Sequence, residues 1–459
     1  MEPPMVIESE RIECDTASFG RSVALILLLA LALRLLLFFL TLNYQPRYDE
    51  NRYLELAGSL AAGEGFKTGD QLSARPPLYP FFLCGIQKLF GEGLVPIRLV
   101  QIFLSLIIVW AAMVLGRRVG GSRTGVWTGL IIAVYPEFVA FPILAFSENL
   151  YVPLLITALA LLVSPTGNVS YRSLIVAGFM LGLSALSRSI AVPITLFSAA
   201  GMFVAGIRRD RFPLFRVALL LAVVFLVIAP WTIRNYRVLG SFILIDSHSA
   251  ITLYTGNNPY IPDWYAEGPT TRRTVPEGEE FWREKLPSPG IGTEENRQAL
   301  LRGLTIQYWK EHPGMAVRKS ALKLARFIGG GDTGIRQVFT PKKRQAVLPP
   351  WLVLLNVFTV FVSILAFTGT VVASVTNRAW KSNGKELLAA FLLANLIIHV
   401  FVFAIARHRV PILPVLFVFS VRVLLSRRFV WSAFRKRAIG WALVACLWGF
   451  GILSLFVRS

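Results

Sequence analysis

The stretch Ser22–Leu42, SVALILLLALALRLLLFFLTL, decides the fold class of this chain. It is long enough to cross the hydrocarbon core of a bilayer as a helix, and Arg34 is the one charge within it. It is too long for the core of a signal peptide, and no small-residue cleavage site follows it. We therefore expect a retained transmembrane helix that leads directly into Asp49-Glu50.

The rest of the chain continues this pattern. Of its 459 residues, 55% are hydrophobic and 16% are charged, whereas a soluble domain has about a quarter of its residues charged. We predict an all-α integral membrane protein with about eleven transmembrane helices. The predicted spans lie near residues 22–42, 96–116, 124–141, 147–163, 172–187, 189–206, 213–230, 347–375, 386–405, 411–426 and 438–456.

The net charge of +21 raises nucleic acid as a partner. The positive charges, however, cluster in short runs between the predicted spans, which is typical of cytoplasmic loops. This distribution predicts a multi-pass protein of the cytoplasmic membrane and no nucleic-acid partner. The runs are Arg117, Arg118 and Arg123; Arg208, Arg209, Arg211 and Arg216; Arg378, Lys381 and Lys385; and Arg427, Arg428, Arg435, Lys436 and Arg437.

The charge rule gives a domain organisation. Residues 1–20 form a cytoplasmic tail, and 21–230 form a transmembrane core that includes the outer loop 43–95. Residues 231–346 are one long extracytoplasmic segment, and 347–459 supply the C-terminal transmembrane helices. Long loops are exempt from the charge rule, so the basic residues of the outer segment do not contradict this path.

Both outer regions contain helical patterns. In the first loop, apolar residues recur at helical spacing over 51–62, and Pro76 and Pro77 can open a second helix toward Gly91. Such helices are expected to lie at the membrane interface. The outer segment has a polar, Pro- and Gly-rich part around 256–292. Helical patterns follow over Glu294–Glu311 and Pro313–Ile328, and the basic side chains of the latter favour a lipid-surface position.

The first outer loop also carries the candidate chemistry. Asp49 either caps the helix that follows or acts as a general base that takes a proton from an acceptor hydroxyl. Arg75 either anchors the loop at lipid headgroups or binds a phosphate, for which the two following prolines hold its backbone. A carboxylate pair, Asp49 and Glu50, opposite such a cation suits sugar transfer from a lipid phosphate.

Further charges lie at the predicted outer ends of spans. Glu148 is either a favourable charge at a helix N-terminus or a second catalytic carboxylate. The cations Arg188, Arg234, Arg407 and Arg409 are individually topological anchors, but together they are candidate ligands for the donor phosphate. Arg34 lies inside a span, where a charge is costly and often functional unless it snorkels. We assign it no role.

No cofactor is predicted with certainty. The three cysteines are far apart and the four histidines are scattered, so neither a disulfide framework nor a His- or Cys-based metal site is indicated. A divalent metal stays possible without being indicated.

Ten short motifs occur in this chain in the same order as in bacterial membrane glycosyltransferases of the GT-C superfamily, which the chain therefore resembles. These enzymes are relatives of protein O-mannosyltransferases and of the lipid A aminoarabinose transferase. The motifs span most of the chain. They are Asp49-Glu50, Arg75-Pro76-Pro77-Leu78-Tyr79-Pro80, Arg98-Leu99-Val100-Gln101, Tyr135-Pro136, Ser147-Glu148-Asn149, Leu186-Ser187-Arg188, Pro230-Trp231-Thr232-Ile233-Arg234-Asn235-Tyr236, Gly256-Asn257-Asn258-Pro259, Glu311-His312-Pro313 and Arg407-His408-Arg409-Val410-Pro411.

The resemblance implies an inverting enzyme that uses a polyprenyl-phosphate-linked sugar outside the membrane, with a lipid, glycan or protein acceptor. Asp49 matches the catalytic position of the family, and Glu50 completes the Asp-Glu pair of the mannosyltransferase branch. Arg75 stands where the aminoarabinose branch has a phosphate-contacting lysine, and Glu148 matches the second outer carboxylate. The chain departs from oligosaccharyltransferases in lacking an Asp-x-Asp metal motif.

Two other classes of protein fit the topology. A transporter or flippase of lipid-linked glycans would also be multispanning and basic, but transporters carry charges near the midplane and inverted repeats. Here the acids and arginines lie mostly at outer span ends. A noncatalytic subunit of an envelope assembly would leave Asp49 and Arg75 without a role.

Overall fold

The computed structural model describes most of the chain as helix. The described residues are 4–68, 71–72, 75–164, 166–207, 213–260, 294–329, 333–339, 349–375, 384–426 and 438–456. Most of the predicted Pro- and Gly-rich stretch 256–292, and the basic runs at 208–211, 378–381 and 427–437, lie outside this part of the chain. Within it, the β-structure is a short antiparallel pairing of Lys67–Thr68 (β1) with Gln71–Leu72 (β2).

The helices follow one another with short connections. In the first half they are α1 (Pro4–Leu40), α2 (Asp49–Ala61), α3 (Leu78–Phe90), α4 (Leu94–Gly120), α5 (Ser122–Val134), α6 (Pro136–Ala140), α7 (Glu148–Leu162), α8 (Tyr171–Ser187), α9 (Ala191–Ile207) and α10 (Pro213–Leu239). In the second half they are α11 (Ser249–Thr255), α12 (Glu294–Glu311), α13 (Pro313–Gly329), α14 (Thr333–Phe339), α15 (Pro350–Val375), α16 (Lys385–Phe401), α17 (Leu413–Leu425) and α18 (Ala438–Phe456).

A helix, or a bent helix pair, lies at every predicted span, and the all-helical membrane fold is confirmed. By length and composition, four described helices can cross a bilayer, or five if the pair Ser122–Val134 and Pro136–Ile143, bent by 60°, counts as one span. Other apolar helices are shorter. The count of eleven spans stays a prediction. The four long helices are Ala17–Leu40, Leu94–Gly120, Pro213–Leu239 and Pro350–Val375.

Small residues bring α4 and α5 close together. A Cβ added to Gly116 would lie 2.9 Å from the Cα of Gly125, and one added to Gly129 would lie 2.2 Å from the Cγ of Met113. Small residues at such contacts let helix backbones approach and pack in a membrane. The glycines of α5 therefore hold it against α4.

The bend after α5 is supported by Arg34, which is fully buried. Its Nη1 donates to the carbonyl of Ala133 at 3.1 Å, and its Nε donates to Ser105 Oγ at 2.7 Å. In a continuous helix the partner of the Ala133 carbonyl would be the N–H of Glu137, which lies beyond the bend. Arg34 therefore does not snorkel. It satisfies backbone and side-chain acceptors inside the fold.

The four outer helices predicted from periodicity are present as α2, α3, α12 and α13. The expected lipid-surface position of the basic side chains on α13 is wrong for Lys319, Lys323 and Arg326, which are buried, whereas Arg318 is exposed. Lys319 and Lys323 are each 6% exposed, whereas the apolar Val317 is 71% exposed. Lys323 Nζ donates to Asn257 Oδ1 at 2.9 Å, and Lys319 Nζ donates to a backbone carbonyl of the same turn. These acceptors come from a distant segment, so helical spacing could not reveal them.

Candidate active site

Asp49 is the first residue of α2, but its side chain does not cap that helix. The N-cap position is Tyr48, and no side chain makes a capping hydrogen bond there. Instead, Arg75 Nη2 donates to Asp49 Oδ1 at 2.8 Å, and Arg407 Nη2 donates to Asp49 Oδ2. Both carboxylate oxygens are thus held by guanidinium groups, which excludes the simple capping role.

Arg407 also connects Asp49 to the second predicted carboxylate. Glu148 begins α7, and its side chain is 2% exposed. Its Oε1 lies 2.7 Å from Arg188 Nη1 and 3.6 Å from Arg407 Nε. The structure therefore brings together five of the predicted site residues, although they come from four separate parts of the chain: Asp49, Arg75, Glu148, Arg188 and Arg407.

Asp246 is a site residue that the sequence reasoning missed. It lies between α10 and α11 and is 7% exposed. Its Oδ1 accepts a hydrogen bond from the backbone N–H of His248 at 2.8 Å, and the charges of Arg75 and Arg188 act on its carboxylate. The available signal was a single acid directly after the apolar run Phe242–Ile245. We call the alternating group Asp49, Arg75, Asp246, Arg188, Glu148 and Arg407 the charge ring.

The carboxylates of the charge ring have different electrostatic surroundings. Burial by itself would raise the pKa of Asp49, but the charges of Arg407 and Arg75 outweigh it and hold that pKa well below its ordinary value. Burial raises the pKa of Asp246 above its ordinary value, and the nearby arginines offset this only in part. Burial, with the charge of Arg75, lowers the pKa of His248 to about 3, so this imidazole is neutral near pH 7.

Aromatic rings orient the three arginines. The guanidinium carbon of Arg407 lies 4.7 Å from the ring centroid of Phe146, and that of Arg75 lies 5.7 Å from the ring of Tyr53. Arg188 lies 6.0 Å from the ring of Tyr151. Such cation–π contacts contribute on the order of 0.5–1 kcal/mol each, and they leave the edges of the guanidinium groups available to anions.

Buried side chains support the irregular turn Phe141–Phe146 that precedes Glu148. Arg98 donates to the carbonyls of Ile143 at 3.1 Å and Tyr44 at 2.8 Å. Gln101 donates to the carbonyl of Pro142 at 2.9 Å. Irregular backbone at membrane depth is tolerated only where protein groups satisfy it. These contacts therefore fix the turn that places Glu148 next to Arg188.

Glu50 lies beside the site but is held by other partners. It is 1% exposed. It accepts hydrogen bonds from the hydroxyl of Tyr44 at 2.5 Å, from the backbone N–H of Ala145 at 2.8 Å and from Gln337 Nε2 at 2.7 Å. This arrangement links the start of α2 to the Phe141–Phe146 turn and to α14.

Two of the predicted phosphate ligands are not brought into the charge ring. Arg409 is fully buried and forms an ion pair with Glu137, with Nη2 to Oε1 at 2.8 Å. Arg234 lies over the ring of Trp231 at 4.8 Å and that of Phe66 at 5.9 Å. The Arg409 pair ties α6 to the turn that carries Arg407, and thereby helps to position that residue.

In the described part of the chain, no group of three or more His, Cys, Asp or Glu side chains could hold a metal ion. The ring carboxylates Asp49 and Glu148 are paired with arginines instead. The site as built is suited to binding an anion between guanidinium groups.

Comparison with known proteins agrees with this architecture. Residues 74–233, which include Arg75, Glu148 and Arg188, match the family model described as dolichyl-phosphate-mannose-protein mannosyltransferase. No curated protein sequence matches the chain.

The fold is similar to solved structures of an archaeal oligosaccharyltransferase. The oligosaccharyltransferase AglB from Archaeoglobus fulgidus, in complex with an inhibitory peptide and a dolichol-phosphate, is 15% identical with a TM-score of 0.53, covering 96% of this chain and 56% of that chain. The same organism's oligosaccharyltransferase in complex with Zn and sulfate is 15% identical with a TM-score of 0.52. This match covers 95% of this chain and 53% of that chain. ArnT from Cupriavidus metallidurans bound to undecaprenyl phosphate is 14% identical with a TM-score of 0.38. This match covers 88% of this chain and 77% of that chain.

The chain thus spans about half the length of the oligosaccharyltransferases that it matches. The family match and the similarity in fold together confirm the resemblance to the GT-C superfamily. The fold of the chain is of the GT-C type.

Proposed function

We propose that this protein is an inverting glycosyltransferase that moves a sugar from a polyprenyl-phosphate donor to a lipid, glycan or protein acceptor. The observation that carries the proposal is the bridging of Asp49 by Arg75 and Arg407. One carboxylate and two cations meet there, and these are the groups needed to take a proton from an acceptor and to stabilise a departing phosphate. The archaeal AglB of similar fold is in complex with a dolichol-phosphate, which supports a donor of this class.

The arginines of the charge ring are the proposed phosphate ligands. Guanidinium groups bind phosphate through paired N–H donors in a planar fork. Arg75 and Arg407 now direct these donors at Asp49, and Arg188 directs its donors at Glu148. We infer that the donor phosphate competes with these carboxylates and takes over part of their arginine contacts.

Asp49 is the proposed general base. While both of its oxygens accept from arginine, its affinity for a proton is low. When Arg75 and Arg407 turn their hydrogen bonds to the donor phosphate, the negative charge of the phosphate offsets theirs, so the basicity of Asp49 rises once the donor is bound. The carboxylate then becomes competent to take the proton of the acceptor hydroxyl.

The reaction is a single displacement. The acceptor oxygen attacks the anomeric carbon from the face opposite the phosphate, and its proton passes to Asp49. The bond between the anomeric carbon and the phosphate oxygen breaks, and the arginines stabilise the charge that develops on the departing lipid phosphate. Glu148 holds Arg188 and Arg407 in place. We place this site on the extracytoplasmic face of the cytoplasmic membrane, because the short basic loops lie at the opposite ends of the spans.

The transporter alternative has no specific observation in its favour. Neither the family match nor the similar structures involve a transporter or a flippase. The residues of the charge ring also belong to the predicted outer loops or the predicted outer ends of spans, as expected for chemistry at the membrane surface.

The test is a transfer assay with the purified protein in lipid nanodiscs. A panel of labelled polyprenyl-phosphate sugars serves as donor, and solubilised envelope material serves as acceptor. We expect wild type to transfer label from at least one donor. We expect Asp49→Asn to be about a hundred- to ten-thousand-fold slower, the usual effect of losing a general base. Glu64→Gln removes an exposed carboxylate of the same outer loop and should leave the rate unchanged.

Absence of both binding and transfer with every donor in the panel would overturn the proposed function. Near-normal transfer by Asp49→Asn would leave the function standing and remove the role of Asp49. A strain that lacks the protein should in addition accumulate one lipid-linked sugar, which identifies the natural donor.

A further inference from the structure

Asp246 is a buried carboxyl group that the mechanism above does not use. Its Oδ1 accepts a hydrogen bond from the backbone N–H of His248 at 2.8 Å, as the carbonyl oxygen of a protonated carboxyl group can. Its Oδ2 is buried and makes no well-directed hydrogen bond among the described residues, although the Ser189 hydroxyl lies near enough to act on the carboxyl group. An unpaired polar atom in a buried position costs about 1–3 kcal/mol, and such atoms in native structures often serve a function.

The surroundings of Asp246 are those of the proposed phosphate site. The charges of Arg75 and Arg188 act on it, and both arginines belong to the charge ring. Arg75 comes from the loop before α3, and Arg188 lies at the end of α8. The Ser189 hydroxyl stabilises the charged form of Asp246, and His248 on its own segment is neutral near pH 7. A phosphate bound between these arginines would therefore lie near the carboxyl group of Asp246.

We propose that Asp246 is the general acid of the transfer reaction, which gives its proton to the phosphate oxygen that leaves the sugar. This inference rests on the proposed function and adds a residue to it. Oδ1 is engaged by His248, so Oδ2 is the oxygen that carries the proton.

The contrast between Asp49 and Asp246 supports this division of roles. Two carboxyl groups whose environments shift their pKa values in opposite directions are the usual basis for assigning one as base and the other as acid. The pKa of Asp49 is lowered by Arg407 and Arg75, whereas burial raises that of Asp246. Asp49 therefore enters the reaction charged, and Asp246 has the greater tendency to enter it protonated.

Other carboxyl groups near the site are less suitable as the acid. Glu148 Oε1 lies within ion-pairing distance of both Arg188 and Arg407, so it is already engaged by two cations. Glu50 accepts hydrogen bonds on both of its oxygens from protein donors. Among the three ring carboxylates, Asp246 has the least direct arginine pairing.

The proton balance of the step is complete. The acceptor oxygen forms a bond to the anomeric carbon and loses its proton to Asp49. The bond between that carbon and the phosphate oxygen breaks, and this oxygen receives the proton of Asp246. The products are the glycosylated acceptor and the singly protonated lipid phosphate. Afterwards one proton returns from Asp49 to Asp246 through solvent, which restores the starting state without an additional reactant.

The test compares wild type, Asp246→Asn and the matched control Glu64→Gln in the nanodisc transfer assay between pH 5 and 9. Asp246→Asn keeps the shape and can still hydrogen-bond, but it has no proton to give. We expect its turnover at saturating donor to fall about a hundredfold or more, while its affinity for polyprenyl phosphate stays within a few fold of wild type. The wild-type rate should decline on the alkaline side as Asp246 loses its proton, and this decline should disappear in Asp246→Asn.

A structural role alone would change the thermal unfolding temperature without removing the alkaline decline. If Asp246→Asn fails to fold, Asp246→Glu, which retains a transferable proton, should show measurable turnover with the alkaline decline present. Wild-type turnover that is flat toward high pH, or a normal rate in Asp246→Asn, refutes the acid role. Failure of wild type to use any polyprenyl-phosphate donor would instead count against the proposed function itself.

Discussion

Arg407 donates a hydrogen bond to the carboxylate of Asp49 across 358 positions of the sequence. The same guanidinium lies 3.6 Å from Glu148 Oε1 through its Nε. One residue of the C-terminal half thus joins the two carboxylates that the N-terminal half supplies. The site is complete only when both halves are folded together.

Replacement of Asp49 by Asn should tighten the binding of polyprenyl phosphate while it abolishes transfer. The carboxylate now competes with phosphate for Arg75 and Arg407, and the neutral amide competes less. We expect about a tenfold gain in affinity, equivalent to roughly 1.4 kcal/mol. Binding of polyprenyl phosphate to wild type, Asp49→Asn and Glu64→Gln can be measured by calorimetry. Weaker binding in Asp49→Asn contradicts the exchange of arginine partners.

Arg75 should affect donor binding and turnover together. Its charge acts on the phosphate in the ground state and on the charge that develops as the sugar leaves. Arg75→Ala should therefore raise the KM for the donor and lower kcat. Arg75→Lys should recover part of both, since it keeps the charge and loses the planar fork. Steady-state kinetics with varied donor provide the measurement, and an Arg75→Ala variant with unchanged KM argues against phosphate contact.

Glu50 should act on stability more than on chemistry. Glu50→Ala removes the acceptor of the Tyr44 hydroxyl and of the Ala145 N–H, at about 1–3 kcal/mol for each buried group left unpaired, whereas the Gln337 amide keeps the Tyr44 hydroxyl as an acceptor. We expect a clearly lower unfolding temperature in detergent, with transfer per folded molecule reduced far less than in Asp49→Asn. An unaltered unfolding temperature with a complete loss of transfer points instead to direct participation of Glu50.

Lys323 should make stability depend on pH. Burial, with the charge of Lys319, lowers the pKa of Lys323 to about 7. Between that value and about 10.4, the unfolded chain binds a proton that the folded chain does not, so stability rises with pH. We expect a gain of about 2 kcal/mol from pH 7 to pH 9, which Lys323→Met should remove. Thermal unfolding of both proteins at the two pH values checks this, and equal gains in both refute it.

Topology can be tested with single cysteines in a variant lacking Cys14, Cys84 and Cys446. Cysteines at the exposed positions Tyr48 and Glu64 should react with an impermeant thiol reagent in intact cells. A cysteine at the exposed position Arg123 should react only after permeabilisation, because its loop is predicted to be cytoplasmic. The reverse labelling pattern inverts the membrane orientation and moves the site to the cytoplasmic face.

The sequence by itself determined the helical architecture. Apolar runs and helical spacing are local properties, and they depend only on the few residues within each turn. The prediction of a helix over Glu294–Glu311 matches the structure, and that over Pro313–Ile328 differs from it by one residue at the end. Asp49, Arg75 and Glu148 could also be chosen as candidates, because charges next to apolar spans are few and stand out.

Only the tertiary structure decided which charges meet. The partners of Asp49 lie 26 and 358 positions away, and no local pattern distinguishes Arg407 from Arg409, which pairs with Glu137 instead. The same holds for Asp246, a single acid whose neighbours in space come from distant helices. Ion pairs depend on distance and burial, and for residues far apart in the sequence the packing of the helices sets both.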